Sequence, residues 1–341
     1  MSELRQDPAT KRWVIISTER AKRPHDFIRK STVETEPEHR DDCPFCTGNE
    51  HNTPPELYAI RDGTAPDTPG WKVRVIPNRF AALSPSTTLK VEFPNIFTTI
   101  SGFGAHEVIV ETPVHNQSIG MQPLEQVERV IQATGHRMTA LAQDHRIHFV
   151  AVFRNHGLSA GTSLAHPHSQ MIATPIVPTN VREEIEEARR FYDDRVQCVY
   201  CNLLKEELAK GERVIFETDD YAVLVPFASR YPFEMMILPK EHGASFLMDS
   251  NGNRLKSLAF VLKSALHLLN VAANNPDYNL VLHNAPTRDR CMDYFHWHIE
   301  ILPRMTTAAG FELGTGIYIT TAIPEQTAEY LRDSYNKLKE E

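Results

Sequence analysis

The sequence repeats one order of motifs, and this duplication restricts the folds open to the chain more than any other feature. Each half contains a C-x-x-C pair, strand-like segments, a Pro-terminated strand that closes on a histidine, a helix, a further strand and a His-X-His motif. In the first half 51 residues separate His115 from His166, and in the second 54 residues separate His242 from His296. A repeated order at matching spacing predicts two similar units that pack together.

Hydrophobic periodicity assigns the same kinds of element to both halves, which we place at residues 1–180 and 190–341. Helices are expected over residues 123–143, 181–195 and 255–269. The first would carry Pro123 in its first turn, and the second is strongly charged and connects the halves. Strand-like runs occupy residues 13–16, 72–76, 106–111, 148–153, 221–225, 233–238, 278–283 and 295–303.

The composition is that of a soluble globular protein. Of 341 residues, 41% are hydrophobic and 23% are charged, which allows a substantial buried core. The net charge of −8 argues against non-specific binding to nucleic acid or to an anionic membrane. The first residues show no apolar signal region, and no stretch approaches 18 consecutive apolar residues. We therefore expect a cytoplasmic protein without a disulfide framework.

Four of the five cysteines lie in the two C-x-x-C pairs, which indicate zinc binding or redox chemistry. A redox pair usually opens a helix behind a strand, a setting that neither pair shows in the sequence, whereas a closed zinc site needs four nitrogen or sulfur ligands. The duplication supplies two such sets: Cys43, Cys46, His115 and His166, and Cys198, Cys201, His242 and His296. Two pairs of buried thiols are the alternative, and Cys291 is expected to be an inert thiol.

The first His-X-His belongs to the run His166-Pro167-His168-Ser169-Gln170. If this run is a strand, its period of two places His166, His168 and Gln170 on one face. With zinc on His166, His168 stays free to attack an electrophilic phosphorus and to carry the group as a phosphoramidate. Gln170 would donate its amide to a phosphoryl oxygen in the transition state. A chance His-X-His is the plainer interpretation of the motif taken alone.

A small, hydroxyl-rich loop over residues 155–163 leads into this motif. Gly157 and Gly161 let backbone N–H groups approach a phosphate, and Ser163 adds a hydroxyl. No Walker loop or magnesium-binding carboxylate pair accompanies the loop, so arginines and N–H groups would neutralise the phosphate charge. The basic cluster at residues 18–24 is either a solvated surface turn or an arm that faces the phosphate.

With these motifs the chain resembles the galactose-1-phosphate uridylyltransferase branch of the histidine-triad superfamily over nearly its whole length. The resemblance implies an α+β fold in which two similar halves form an open, mainly antiparallel sheet with helices packed on it. It also implies a homodimer with shared active sites. The motifs that carry the resemblance are Arg20-Ala21-Lys22-Arg23-Pro24, C-P-x-C, Pro77-Asn78, the P-x-H histidine, the Asn155/Gly157 loop, H-P-H-x-Q and Gly310-Phe311-Glu312.

The resemblance implies a double displacement. UMP from UDP-glucose would pass to His168 with release of glucose 1-phosphate, and a second hexose 1-phosphate would then collect it. Cys43, Cys46, His115 and His166 match the zinc ligands of the family, and with the second set the expectation is two Zn²⁺ ions per chain. The matching substrate contacts are Gln170 and Ser163 at the phosphates, Arg20 and Arg23 at the sugar phosphate, and Asn78 and Asn155 at the nucleotide.

Three departures from the family pattern bear on the substrate and the metals. Ser169 stands where the family usually has glycine, which is tolerable if residue 169 faces away from the site. Cys198 and Cys201 suggest a Cys/His second site, where the better-known transferases use a glutamate and histidines. Residues 310–316, including Gly310, Phe311 and Glu312, resemble the relatives that phosphorolyse ADP-glucose. The nucleotide base and the acceptor therefore stay open at this point.

The sequence leaves three functions to compare. The first, which it favours, is a UDP-glucose–galactose-1-phosphate uridylyltransferase. The second is an ADP-glucose phosphorylase or adenylyltransferase that uses the same histidine, with phosphate as acceptor. The third is a catalytically silent, zinc-stabilised nucleotide-binding protein. The intact His168 and Gln170 argue against the third, because a protein that only binds needs no nucleophile there.

Overall fold

The computed structural model of the chain describes residues 2–20, 22–28, 36–290 and 292–340. In chain order its strands are β1 (Glu3–Gln6), β2 (Trp13–Ile16), β3 (Tyr58–Arg61), β4 (Trp71–Pro77), β5 (Val91–Glu92), β6 (Thr99–Ile100), β7 (Ala105–Val110), β8 (Phe149–His156), β9 (His168–Thr174), β10 (Val214–Glu217), β11 (Tyr221–Leu224), β12 (Met235–Pro239), β13 (Tyr278–His283), β14 (His298–Pro303) and β15 (Tyr318–Thr320). Its helices are α1 (Leu124–Leu141), α2 (Thr179–Arg195), α3 (Val199–Lys210), α4 (Asn253–Ala272), α5 (Gly310–Thr315) and α6 (Pro324–Glu340).

One ten-stranded sheet organises the molecule, in the order β10-β11-β12-β14-β13-β8-β9-β7-β4-β3. Every pair of neighbouring strands in it is antiparallel. The chain ends contribute a separate three-stranded sheet, in which β15 pairs in parallel with β2. The predicted α+β fold with a large, mainly antiparallel sheet is thereby confirmed.

The duplication is visible in the strand order. Read from either edge to the centre, each half contributes five strands in corresponding order, β3-β4-β7-β9-β8 and β10-β11-β12-β14-β13. The halves meet where β8 pairs with β13, so that Tyr278 lies opposite His156 and Leu282 opposite Val152. Since the sheet is continuous across this pair, the predicted halves share one sheet. Whether residues 1–180 and 190–341 are separate domains stays a prediction.

Two amphipathic helices cover one face of the sheet. α1 packs on β3, β4 and β7, and its counterpart α4 packs on β11, against α1 and against α6. Among the described helices, α4 alone is long and apolar enough to cross a membrane. Its leucine-rich face is buried in the main core of the protein, as expected of a core helix. The other face of the sheet carries the polar residues discussed below.

Three predicted boundaries shift, two of them for identifiable reasons. β9 begins at His168 rather than His166, because Pro167 has no N–H to offer the ladder. Likewise β14 begins at His298, because the N–H of Trp297 donates to the carbonyl of Gly243 instead. Pro123 occupies the N-cap of α1 and not its first turn. The phase of each strand is unaffected.

Candidate active site and metal centres

His168 and Gln170 lie on the sheet face opposite the core helices. On β9 the buried Met171 and Ala173 join the main hydrophobic core, so the alternation of side chains turns His168 and Gln170 to the other face. There both line a cavity of about 430 Å³ together with Ser163. The predicted catalytic residues are thus brought together, and His166 precedes the strand.

The surroundings of His168 leave one ring nitrogen available. Its Nδ1–H donates to the carbonyl of His166 at 2.8 Å, which leaves Nε2 as the unprotonated nitrogen. The side chain is 8% exposed, and burial lowers the pKa of the imidazole. The ring of Phe45 lies 5.4 Å from the His168 ring and forms one wall of the cavity. The result is a neutral, oriented imidazole at the edge of this cavity.

A buried ion pair supports this strand from the opposite face. The Ser169 hydroxyl donates to Glu111 Oε1 at 2.5 Å, and Arg154 Nε donates to the same carboxylate at 3.0 Å. Arg154 also donates to the hydroxyl of Tyr278 at 2.7 Å. Ser169 therefore faces away from the cavity, which is the condition under which serine can stand in place of the usual glycine. Glu111 and Arg154 were not predicted from the sequence, although charged residues in otherwise apolar strands are a signal for a buried pair.

The loop before β9 is clamped to the second half of the chain. Asp277 accepts hydrogen bonds from the backbone N–H of Ser159, at 2.7 Å, and from its hydroxyl. Gly157 has φ +83°, and a Cβ there would lie 1.7 Å from Asp277 Oδ1. A side chain at residue 157 is thus excluded by both the backbone conformation and space. The clamp fixes the path of the loop between the 430 Å³ cavity and a second cavity of about 640 Å³. Ser163 lines both cavities, and Gly157 lines the second.

The first cysteine and histidine set forms a compact group of donors. The four donor atoms of Cys43, Cys46, His115 and His166 lie within 4.8 Å of one another, and all four residues are buried. His166 Nε2–H donates to the carbonyl of Thr112 at 2.8 Å, so Nδ1 faces the sulfur atoms, 3.6 Å from Cys46 Sγ. This tautomer is the one that a metal ligand needs. Two thiols and two imidazoles with this orientation fit a closed tetrahedral zinc site.

The second set repeats this arrangement. The donor atoms of Cys198, Cys201, His242 and His296 also lie within 4.8 Å of one another, and Nδ1 of each histidine faces Cys201 Sγ, at 3.4 Å and 3.5 Å. His242 Nε2–H donates to the carbonyl of Met292 at 3.1 Å. Cys198 opens a helix, as the N-cap of α3, but not in the redox setting, which requires a strand before that helix. The element before α3 is a helix, and the two histidines complete a zinc set, so metal binding still fits better than redox chemistry.

A third group of polar side chains, missed in the sequence analysis, lies where the second half would hold its own active site. His298 corresponds to His168, and Glu300 corresponds to Gln170. His283 contacts Glu184 at 2.9 Å and Glu300 at 3.2 Å, and Arg230 contacts Glu300 at 2.7 Å. Although burial alone would lower it, the charges of Glu184 and Glu300 raise the pKa of His283 to about 10. The group is thus a partly exposed network of ion pairs that borders a cavity of about 390 Å³.

Replacing His283 by glutamine is expected to lower the free energy of unfolding by about 3 kcal/mol, because the buried Glu184 loses its cation and Glu300 keeps only Arg230. Since the pKa of His283 is about 10 in the folded state and about 6.5 when unfolded, its contribution is complete below pH 6.5 and is lost as pH rises through 10. Urea unfolding at acidic and alkaline pH measures both effects. The exposed His145, changed to glutamine, is the control. Equal stability of the two variants would contradict this assignment.

Several predicted substrate contacts do not reach the 430 Å³ cavity in one copy of the chain. Asn78 lines it, whereas the Asn155 side chain accepts a hydrogen bond from Asn279 at 2.8 Å. Gly161, in a left-handed conformation with φ +90°, shapes the loop without lining either cavity among the described residues. Arg23 and the α5 residues Gly310, Phe311 and Glu312 also lie away from it. The side chain of Arg20, like Cys291, lies outside the described residues.

Two protein families match the chain. The N-terminal domain of galactose-1-phosphate uridyl transferase matches residues 1–178. A domain of unknown function, DUF4921, matches residues 104–341. Between them they span the whole chain, and the first contains His168, Gln170 and the first cysteine and histidine set.

Individual relatives are similar over almost their full length. An ADP-glucose phosphorylase of Arabidopsis thaliana is 36% identical over 97% of this chain and 92% of its own. A galactose-1-phosphate uridylyltransferase of Thermotoga maritima is 30% identical over 98% and 99%. The crystal structure of an A. thaliana ADP-glucose phosphorylase with bound ADP-glucose superimposes with a TM-score of 0.81, at 34% identity and 98% coverage of both chains.

Proposed function

This chain belongs to the galactose-1-phosphate uridylyltransferase family of nucleotidyltransferases, and on that premise we propose that it transfers an adenylyl group from ADP-glucose to phosphate through a covalent adduct at His168. The geometry of His168 is the observation that carries the proposed chemistry. Its Nδ1–H is engaged by a main-chain carbonyl, and its pKa is lowered by burial, so Nε2 is a neutral nucleophile at the edge of the cavity.

The proposed reaction has two displacements at the same phosphorus. In the first, the Nε2 lone pair of His168 forms a bond to the α-phosphorus of ADP-glucose, and the bond to the bridging oxygen breaks to release glucose 1-phosphate. In the second, an oxygen of inorganic phosphate attacks the adenylyl phosphorus, ADP forms and the P–N bond breaks. Gln170 donates to a phosphoryl oxygen in both transition states, where such a donor contributes most. The imidazole is regenerated without a net proton change on His168.

The choice of ADP-glucose reverses the preference drawn from the sequence. Its support is the 36% identity to a protein named ADP-glucose phosphorylase, together with the segment that begins at Gly310, which prompted the same alternative from sequence. The apolar walls formed by Phe45, Ile76 and Val108 suit a planar base. Uridylyl transfer from UDP-glucose to galactose 1-phosphate is the second candidate, favoured by the 30% identity to the T. maritima uridylyltransferase.

We assign the two cysteine and histidine sets to one Zn²⁺ ion each. Zinc at the first set would supply a rigid tetrahedral link between the Cys43–Cys46 turn and the ends of β7 and β9. His166 holds its Nδ1 towards the sulfur atoms and its main-chain carbonyl towards His168 Nδ1. The metal ligand thereby also fixes the nucleophile. The second set holds α3 against the corresponding strand ends of the other half.

A homodimer is part of this proposal for two reasons. The chain exposes a cluster of apolar side chains, and several of the predicted substrate contacts lie far from the cavity. Around the β5–β6 hairpin, Phe93, Ile96 and Phe97 are 71%, 89% and 65% exposed. Apolar side chains clustered in this way mark an interaction surface. A second copy would also supply residues such as Phe311 to a shared site. Light scattering should give twice the chain mass, and a monomer at micromolar concentration would contradict the dimer.

Intact-protein mass spectrometry tests the proposed reaction. The protein is incubated with ADP-glucose or with UDP-glucose and no acceptor. An adenylyl mass increase that disappears on addition of phosphate, with release of ADP, is the expected result. A uridylyl increase that only galactose 1-phosphate removes would replace the proposal with the second candidate. No adduct on zinc-loaded, folded protein would leave a nucleotide-binding protein and would contradict both.

A further inference from the structure

We propose that His106 is a positioning residue for the transfer, which holds the amide of Gln170 with its NH₂ group towards the cavity. The inference rests on the proposed function, since it concerns the donor to the transferred phosphoryl group. A glutamine amide has an acceptor end and a donor end of the same shape, and only the donor end stabilises a phosphoryl oxygen. The orientation of this amide therefore decides whether Gln170 assists or opposes the reaction.

The main chain settles which nitrogen of His106 carries the proton. The backbone N–H of Ala82 donates to His106 Nδ1 at 3.2 Å. Nδ1 must therefore be an acceptor, and in the neutral imidazole the proton resides on Nε2. His106 Nε2 lies 2.8 Å from Oε1 of Gln170. The histidine thus donates to the amide oxygen.

Asn78 reinforces the same orientation. The backbone N–H of Phe80 donates to Asn78 Oδ1 at 2.9 Å, which turns Asn78 Nδ2 towards the other two side chains. From there Nδ2 donates to Gln170 Oε1 at 3.4 Å. It lies 3.1 Å from His106 Nε2, because both nitrogens are donors that converge on the same oxygen, Gln170 Oε1. The orientation of both donors is fixed by backbone N–H groups, so it does not depend on a choice of amide flip.

Gln170 consequently has one orientation that satisfies all three side chains. With Oε1 held by His106 and Asn78, its NH₂ group remains for the cavity that His168 also lines. The reversed amide would place two hydrogens against two donors and an oxygen against the anionic substrate. His106 is not among the described residues that line the cavity, so its effect passes through Gln170. This role distinguishes it from a nucleotide contact.

Two variants of equal size separate positioning from packing. In His106→Gln an amide nitrogen can still donate to Gln170 Oε1, whereas in His106→Glu a carboxylate accepts there and favours the reversed amide. We expect adduct formation from ADP-glucose in single turnover to be at least about tenfold slower in the glutamate variant than in the glutamine variant, a part of the 10²–10³-fold typical of a lost oxyanion donor. KM should differ by less than about twofold between the two.

The same pair in a Gln170→Ala background completes the cycle. If His106 acts through Gln170, the rate difference between the glutamine and glutamate variants should shrink to less than about twofold there. A difference that persists would assign the effect to charge or packing and would overturn the inference, as would equal rates in the presence of Gln170. Zinc content and melting temperature confirm that each variant is folded. If the wild-type protein itself formed no adduct, the proposed function would fail instead, which keeps the two outcomes distinct.

Discussion

Replacement of His168 by glutamine is expected to abolish the covalent nucleotidyl adduct and to lower turnover by at least about 10⁴-fold. An amide nitrogen has no lone pair available for attack on phosphorus, so the first displacement has no nucleophile. The side chain is close in size and can still donate to the carbonyl of His166, which His168 now reaches at 2.8 Å. Intact mass after incubation with each nucleotide sugar, and steady-state turnover, measure the two effects.

The duplicated half supplies a matched control. His298 occupies the corresponding position on β14 and donates through Nδ1–H to the carbonyl of His296 at 3.0 Å, as His168 does in its own half. His298→Gln is expected to keep the adduct and the turnover of the protein that remains folded. An adduct on His168→Gln would show that another residue is the nucleophile. Equal losses in the two variants, at equal zinc content, would assign the effect to stability.

The differences between the two halves on a common backbone explain why the proposed chemistry is restricted to one of them. Where the first half has Phe45 beside His168 at 5.4 Å, the second has Tyr200 beside His298 at 4.8 Å. The Tyr200 hydroxyl donates to Glu184 at 2.5 Å, and α2 and α3 carry these two residues onto the sheet face. Hence charged and aromatic side chains border the corresponding cavity of the second half, which is about 390 Å³ in volume. His298 is 2% exposed and is not among the described residues that line this cavity, whereas His168 lines its own.

The sequence predicted features that a short motif or its repetition determines. Short motifs contain the spacing of Cys43 and Cys46 and the alternation that pairs His168 with Gln170, and repetition of those motifs gives the order of the two halves. These features could therefore be predicted without a structure. The roles of His106, Asp277 and His283 could not. Each depends on which residue of one strand or loop meets which residue of another, and strand periodicity does not determine that register. The missed residues are accordingly those that orient or hold the predicted ones.

The boundaries that the sequence analysis misplaced have the same origin. A period of two correctly placed His168 and Gln170 on one face, but it could not show that the strand begins only after Pro167, so that His166, already assigned to the metal group from the sequence, precedes it. Nor could it show that Cys198 caps α3. The charged segment before it forms α2, which ends at Arg195, and the chain turns over the next residues before α3 begins. Local patterns determine the phase of an element better than its ends.

Removal of zinc is expected to unfold the chain, and single-site variants should separate the two metals. Native mass spectrometry of the wild-type protein should find two zinc ions per chain, and Cys43→Ser and Cys198→Ser should each retain one. Apparent free energies of zinc binding of about 10–16 kcal/mol exceed the total stability of most domains, so each loss should lower the melting temperature strongly. Chelation at neutral pH should unfold the wild type for the same reason.

The two variants are expected to differ in chemistry. His166 belongs to the first set, and its main-chain carbonyl holds His168 Nδ1, so the loss of zinc in Cys43→Ser should also abolish adduct formation. The second set belongs to the second half, away from His168 in the chain, and folded Cys198→Ser protein, held at low temperature, should still form the adduct. Fewer than one zinc per chain in the wild type would contradict both sites. Equal loss of the adduct in two equally folded variants would mean that the first zinc has no special link to the nucleophile, because loss of the metal in the second half would then affect His168 just as much.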